Sequence, residues 1–157
     1  MLTSSVGLAS PAKVLLDTHV WVWLALGEST RLPKSLVRIL ETASSDGRLH
    51  VSAASVWEIA LKAARGLLEI PIDLSAWVAE QRKYPGIKVF PLSIGTLIDS
   101  TRLPPWIRKR DGKEHKDPSD RFIVTTARRK RACLVTSDEE IIEYAKVDHV
   151  TVFDARR

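Results

Sequence analysis

A chain of 157 residues with 45% apolar side chains and a formal net charge of +5 has the size and hydrophobic content of one folded domain, which excludes a wholly disordered segment. Its single cysteine, Cys133, excludes an internal disulfide and a cysteine-rich zinc site. No apolar run approaches the roughly 20 residues that a membrane-spanning helix needs, the first dozen residues make a poor signal peptide, and the basic balance suits a polyanion; the expectation is a cytoplasmic protein with no membrane association.

Residues 1–12 read as a flexible leader before a single domain over 13–157. Residues 13–16 have the short apolar pattern of a buried strand, and Thr18 is placed to cap a helix to about residue 26. Pro33 opens a second helix to about Ala43, with Leu36, Ile39, Leu40 and Ala43 on one face. "LHVSA" is a second strand, and Ser55 then caps a helix that runs to Arg65 and stops at Gly66. Residues 74–83 form an amphipathic helix, "IKVFPL" a third strand and residues 93–101 another helix. The stretch "RLPPWIRKRDGKEHKD", with two prolines, a glycine and many charges, reads as loop. Asp117 starts a helix to about Lys130, "ACLVTS" is a fourth strand, "DEEIIEYA" a short helix and "VTVFD" the last strand. This alternation predicts an α/β fold, a parallel sheet with helices on both faces. Ligands of such sheets bind at the carboxyl ends of the strands.

Four acids fall at that edge. Asp17 follows the first strand and Asp138 the fourth. Glu58 is expected in the first turn of the helix after strand two, and Asp120 in the first turn of the helix leading back to strand four. Carboxylates that converge from four parts of the chain repel one another unless a cation intervenes. Mg²⁺ prefers oxygen ligands, and such ions activate water and stabilise phosphoryl charge. No histidine–cysteine cluster competes, so zinc is not the expected metal. A structural reading stands beside this one. Ser55-Val-Trp-Glu58 has the form of a capping box, Asp117-Pro-Ser-Asp120 that of a helix start with proline at its first position, and Asp138 is an acid in a first turn, as the helix dipole favours. The two readings are compatible, since a helix N-terminus keeps a carboxylate ionised.

The segments "LLDTHVWVW", "SAASVWEIALK", "HKDPSDRFIVTTA" and "LVTSDEEI" closely resemble the PIN-domain nucleases, and within them the toxins of the VapBC toxin–antitoxin systems. The resemblance spans roughly residues 13–154, with the motifs in the family's order. It implies a PIN-like α/β/α sandwich with a central parallel sheet of about five strands. It implies Mg²⁺- or Mn²⁺-dependent hydrolysis of phosphodiester bonds in RNA, a cognate antitoxin protein and a homodimer. The family's catalytic, metal-holding acids carry over to Asp17, Glu58, Asp120 and Asp138, with Asp117 as a supporting cap. Two features depart from the pattern: the leader, and a loop before "DPSD" that is longer and more charged than in relatives. A PIN-type RNA-processing nuclease outside a toxin–antitoxin pair keeps the same chemistry. A receiver-like or non-catalytic nucleic-acid-binding module is the alternative from another class. Against it stand the intact acid quartet and the absence of a lysine after the last strand in "VTVFDARR".

Around the acids, Thr18, Thr136, Ser137 and Lys62 are expected in support: Thr136 and Ser137 immediately precede Asp138, and Lys62 lies one turn beyond Glu58. His19, Arg108, Lys109, Arg110, Lys113, His115 and Lys116 are candidates for RNA contact; phosphate contacts of that kind add salt-dependent affinity without sequence choice. The plainer readings are a locally bonded histidine and a solvated, flexible loop. Trp21, Trp23 and Trp57 read as core.

Overall fold

In the computed structural model, which describes Leu8 and residues 12–83 and 86–157, five short strands form one parallel sheet. They are β1 (Val14–Leu16), β2 (Leu49–Ser52), β3 (Lys88–Phe90), β4 (Cys133–Thr136) and β5 (Val152–Asp154), in the order β3-β2-β1-β4-β5. Seven helices are described: α1 (Thr18–Ala25), α2 (Lys34–Ser45), α3 (Ala53–Ala64), α4 (Leu74–Lys83), α5 (Ile94–Ser100), α6 (Pro118–Lys130) and α7 (Glu139–Ala145). None of them is long and apolar enough to cross a membrane.

The strands are continuous apolar runs because both faces of the sheet are covered. Side chains alternate between the faces. Val14, Leu16, Leu49, Val51, Cys133 and Val135 enter one core with Trp21 of α1 and Leu36 and Leu40 of α2. Leu15, Leu134 and Val152 enter the other, with Ile123 and Ala127 of α6 and Ile141 of α7. The expected α/β/α sandwich and its five parallel strands are therefore present. The expected leader lies outside the described residues, apart from Leu8 and Ala12. Leu8 is fully buried in the first core, and the Arg48 guanidinium donates to its carbonyl (3.1 Å).

Local details differ from the sequence reading. The helix after β2 begins at Ala53, because Ser52 and not Ser55 caps it: Ser52 has extended backbone and its Oγ accepts from the Ala54 N–H at 3.0 Å. Ala53 and Ala54 are strong helix formers, so the helix starts where the strand ends. Glu58 then stands in the second turn, and the Ser55–Glu58 capping box does not form. Asp17, not Thr18, holds the cap position of α1. Of the three tryptophans expected in the core, only Trp21 is there. Trp57 is 54% exposed, two residues from buried Ser55 and Ile59 and hence on the opposite face of α3. Trp23 is half-buried beneath the Arg31 guanidinium, 5.4 Å from its ring centre.

The segment before α6 has no helix or ladder, as expected; most of it is exposed, but it is pinned at Trp106 and His115. Ile107 and Glu114 pair across it in an isolated antiparallel bridge. Trp106, only 2% exposed, stacks between His115 (4.2 Å between ring centroids) and Tyr144 of α7 (4.4 Å).

Candidate active site

The chain runs outward from β1 through β2 to β3, then returns to lay β4 on the other side of β1. The strand order reverses between β1 and β4, and the crevice at their carboxyl ends is the switch point where open α/β sheets bind ligands. Asp17 leaves β1 into this crevice, 4% exposed. Its Oδ1 accepts from the Thr18 N–H (2.8 Å) and its Oδ2 from the Thr136 hydroxyl at the end of β4 (2.6 Å). The Thr136 hydroxyl in turn accepts from the Asp138 N–H (3.0 Å), so one side chain ties the two acids together. Burial raises the pKa of Asp17. The Thr136 hydrogen bond, the His19 charge and the Thr18 N–H work against that rise, and the charge of Asp138 adds to it.

Asp138 is itself the cap of α7 rather than a residue of its first turn; its Oδ1 accepts from the Ile141 N–H (3.1 Å). Asp120 sits in the first turn of α6, where Pro118 opens the helix and the Asp117 carboxylate accepts from the Asp120 N–H (3.1 Å). Asp117 thus caps as expected. Burial pushes the Asp120 carboxyl up to about 6; a hydrogen bond from His115 opposes this, and the charges of Asp17, Asp117 and Asp138 reinforce it. Each of these acids has a capping or structural contact, and the charge of Asp138 acts on Asp17 and the charges of Asp17 and Asp138 on Asp120. Capping alone does not account for that convergence.

Glu58 is half-buried and is not among the charges that act most on Asp17 or Asp120. Its helix is nevertheless tethered to the site. Ser55, one turn earlier, accepts from the Thr18 hydroxyl (2.8 Å), and Lys62, one turn later, reaches His19 Nε2 (3.4 Å). Ser55, Glu58 and Lys62 therefore share the face of α3 turned toward the start of α1. Lys62 points to His19 and makes no ion pair with Glu58.

The candidates for RNA contact divide. His19 is exposed. Arg108 is held by both oxygens of Asp111 (2.7 and 3.1 Å). Lys109 faces Glu143 (3.5 Å), Arg110 faces Asp111 (4.0 Å) and Lys116 faces Glu114 (4.0 Å); Lys113 is exposed. His115 does not belong with them. It is 7% exposed, and its Nε2 contacts Asp120 Oδ2 at 2.9 Å. Sequence reasoning missed this contact with the acid; the only trace of it is a histidine two residues before the cap Asp117.

A fifth carboxylate at this edge shows what a compensated acid looks like. Asp154, at the end of β5, accepts from the Arg156 guanidinium at 2.7 and 2.9 Å, which holds its carboxyl below the usual range. Among the described residues no lysine or arginine makes such a pair with Asp17, Glu58, Asp120 or Asp138. The donors these four acids offer are all oxygen, which fits a hard divalent cation in kind. Among the described residues no three acidic, histidine or cysteine side chains are grouped so as to hold a metal ion in this arrangement.

Residues 14–147 match the model of the PIN domain. Among solved structures the chain is similar to VapBC2 from Rickettsia felis bound to a DNA fragment from their promoter, with 15% identity, 88% of this chain and 96% of that chain covered, and a TM-score of 0.61. It is also similar to FitAB bound to an IR36 DNA fragment (21% identity, 92% and 96% covered, TM-score 0.53) and to FitAcB from Neisseria gonorrhoeae (22%, 90% and 97%, 0.52). At these identities the likeness is one of fold. No curated protein sequence matches the chain.

Proposed function

This chain belongs to the PIN-domain family, and from that premise we propose that it is a metal-dependent ribonuclease of the VapC toxin type, hydrolysing phosphodiester bonds in RNA and neutralised by a cognate antitoxin. The observation that carries the reading is the group of Asp17, Asp120 and Asp138 at the β1–β4 switch point, with Thr136 bonded to both Asp17 and the Asp138 N–H and no lysine or arginine paired with any of the three among the described residues. Asp17, Glu58, Asp120 and Asp138 are the oxygen donors for Mg²⁺ or Mn²⁺; the bound ion supplies Lewis acidity toward a phosphate oxygen and a water activated for attack.

The chain's own residues prepare that site. Thr136 and the Thr18 N–H hold both oxygens of Asp17, and Asp117 fixes the turn that carries Asp120. Ser137 stands between Thr136 and Asp138, half-buried, where its hydroxyl would hydrogen-bond a water bound by the acids. His19 and Lys62 lie on the rim as phosphate contacts, and Arg108, Lys109, Arg110, Lys113 and Lys116 add salt-dependent affinity for the RNA backbone.

The fold shared with the VapBC2 and FitAB complexes supports the toxin reading. An uncompensated anionic crevice suits an antitoxin tail that brings an arginine or lysine in place of the metal charge. The active form is a homodimer in the cytoplasm. The test is incubation of the purified protein with total RNA in Mg²⁺ or EDTA, followed by mapping of the cut ends. Cleavage in Mg²⁺ alone is expected. Cleavage undiminished in EDTA refutes the metal, and harmless expression in cells despite strong cleavage in vitro refutes the toxin assignment.

A further inference from the structure

The segment before α6 folds around its own aromatic column, and the column ends at the acids. The His115 N–H donates to the Trp106 carbonyl (2.7 Å) and the Arg108 N–H to the Lys113 carbonyl (2.8 Å). Tyr144 donates to the Pro104 carbonyl (2.8 Å), and Arg121 of α6 donates to the His115 carbonyl (3.0 Å). With Trp106 stacked on the imidazole, the ring of His115 is held through its face and its backbone. What remains is the ring edge, aimed at Asp120 Oδ2. An ionised carboxylate has no proton to give, so the Nε2–H donates. The other ring nitrogen, Nδ1, is buried with no hydrogen-bond partner among the described residues. An unpaired buried nitrogen is unfavourable, yet the fold accepts it to place one donor on one acid.

We propose that His115 is a positioning residue of the metal site: it holds Asp120 by Oδ2 and thereby sets the affinity for the divalent ion, with no contact of its own to RNA. This inference rests on the metal-dependent activity proposed above. Partners that hydrogen-bond to metal ligands typically change metal affinity 10–100-fold when removed. A direct RNA contact is incompatible with a ring that is 7% exposed and already bonded to Asp120.

The test is calorimetric titration of Mn²⁺ into the purified, RNA-free full chain, alongside RNA binding measured without metal. His115→Phe keeps an aromatic ring for the stack and removes the donor. It should weaken Mn²⁺ affinity about tenfold or more and leave metal-free RNA binding unchanged. His115→Gln restores a side-chain N–H and should recover most of that affinity. In an Asp120→Asn background, His115→Phe should cause no further loss. If His115→Phe does not fold, His115→Asn, too short to reach Asp120, takes its place with the same expectation. Trp106→Phe, which thins the stack and keeps the hydrogen bond, should alter stability without a tenfold change in affinity. The proposal is overturned if the donor-less variant binds Mn²⁺ like wild type, if His115→Gln binds as weakly as His115→Phe, or if RNA binding falls while Mn²⁺ binding does not. If wild type binds neither Mn²⁺ nor Mg²⁺, the metal-dependent activity itself fails and this proposal with it.

Discussion

Asp120→Asn separates a catalytic carboxylate from a helix-start acid. A plain first-turn acid stabilises its helix by about 0.3–1 kcal/mol, so losing its charge should lower stability by that amount. Asp120 is held differently: its carboxyl is pushed from 3.8 to about 6, and its side chain is only 18% exposed. A rise of that size corresponds to roughly 3 kcal/mol of preference for the neutral form. Because the folded-state value lies above the unfolded one, the associated stability is fully present below about pH 4 and is lost as pH rises through about 6. The ionised metal-free protein therefore carries a penalty at neutral pH that the amide does not. Asn keeps an oxygen to accept from His115, so most of the relief survives. In EDTA at pH 7.5 the variant should be more stable by up to roughly 3 kcal/mol, a rise of several degrees in Tm for a domain of this size. Near pH 4 the advantage should vanish. Mg²⁺ should stabilise wild type by RT ln(1 + [L]/Kd), about 2.7 kcal/mol at 100 times Kd, and the variant less. Thermal melts at two pH values, with and without Mg²⁺, read all of this, with RNA cleavage measured in parallel. A variant that is destabilised in EDTA, still responsive to Mg²⁺ and fully active would refute the reasoning and leave Asp120 a helix-start acid.

Divalent-ion affinity should fall as pH drops through about 6, because protons compete with the ion for Asp120 and for Asp17, whose carboxyl is also raised; an Mn²⁺ affinity independent of pH across that range would contradict this. Thr136→Val removes the donor to buried Asp17 and the acceptor of the Asp138 N–H, and should cost about 1–3 kcal/mol in chemical denaturation. Trp106→Ala should cost about 3–5 kcal/mol and expose the preceding loop to proteolysis; a loss within about 0.5 kcal/mol would show the loop to be a solvated surface segment.

Much of the architecture was legible in the sequence because both faces of the sheet are buried. Short buried runs such as "CLVT" have no other use in a chain with helices between them. Asp17, Asp120 and Asp138 were legible for the same reason, since the end of a parallel strand or the start of its returning helix is a fixed place in space. Glu58 was read at the right edge but in the wrong turn. Ser52 and Ser55 are both good caps, and the choice between them depends on where β2 stops pairing with its neighbours. His115 was misread for a different reason. The composition of its segment describes a solvated loop, and only the contact with Tyr144, in an element encoded well downstream, turns Trp106 inward and carries His115 to Asp120.

The hydrogen bond between Thr136 and Asp17 joins residues 119 positions apart, and that distance bears on how the molecule is made. Asp17 and Glu58 leave the ribosome early. Asp120 and Asp138 follow on the order of ten seconds later at ordinary elongation rates. Until then β1, the centre of the finished sheet, is an edge strand, and its carboxyl end faces no β4. A chain interrupted anywhere before β4 lacks Asp138 and the hydroxyl that joins it to Asp17, and so has no assembled acid group. Placing the late-made β4 beside β1, the first strand, therefore delays assembly of the acid group until synthesis is nearly complete.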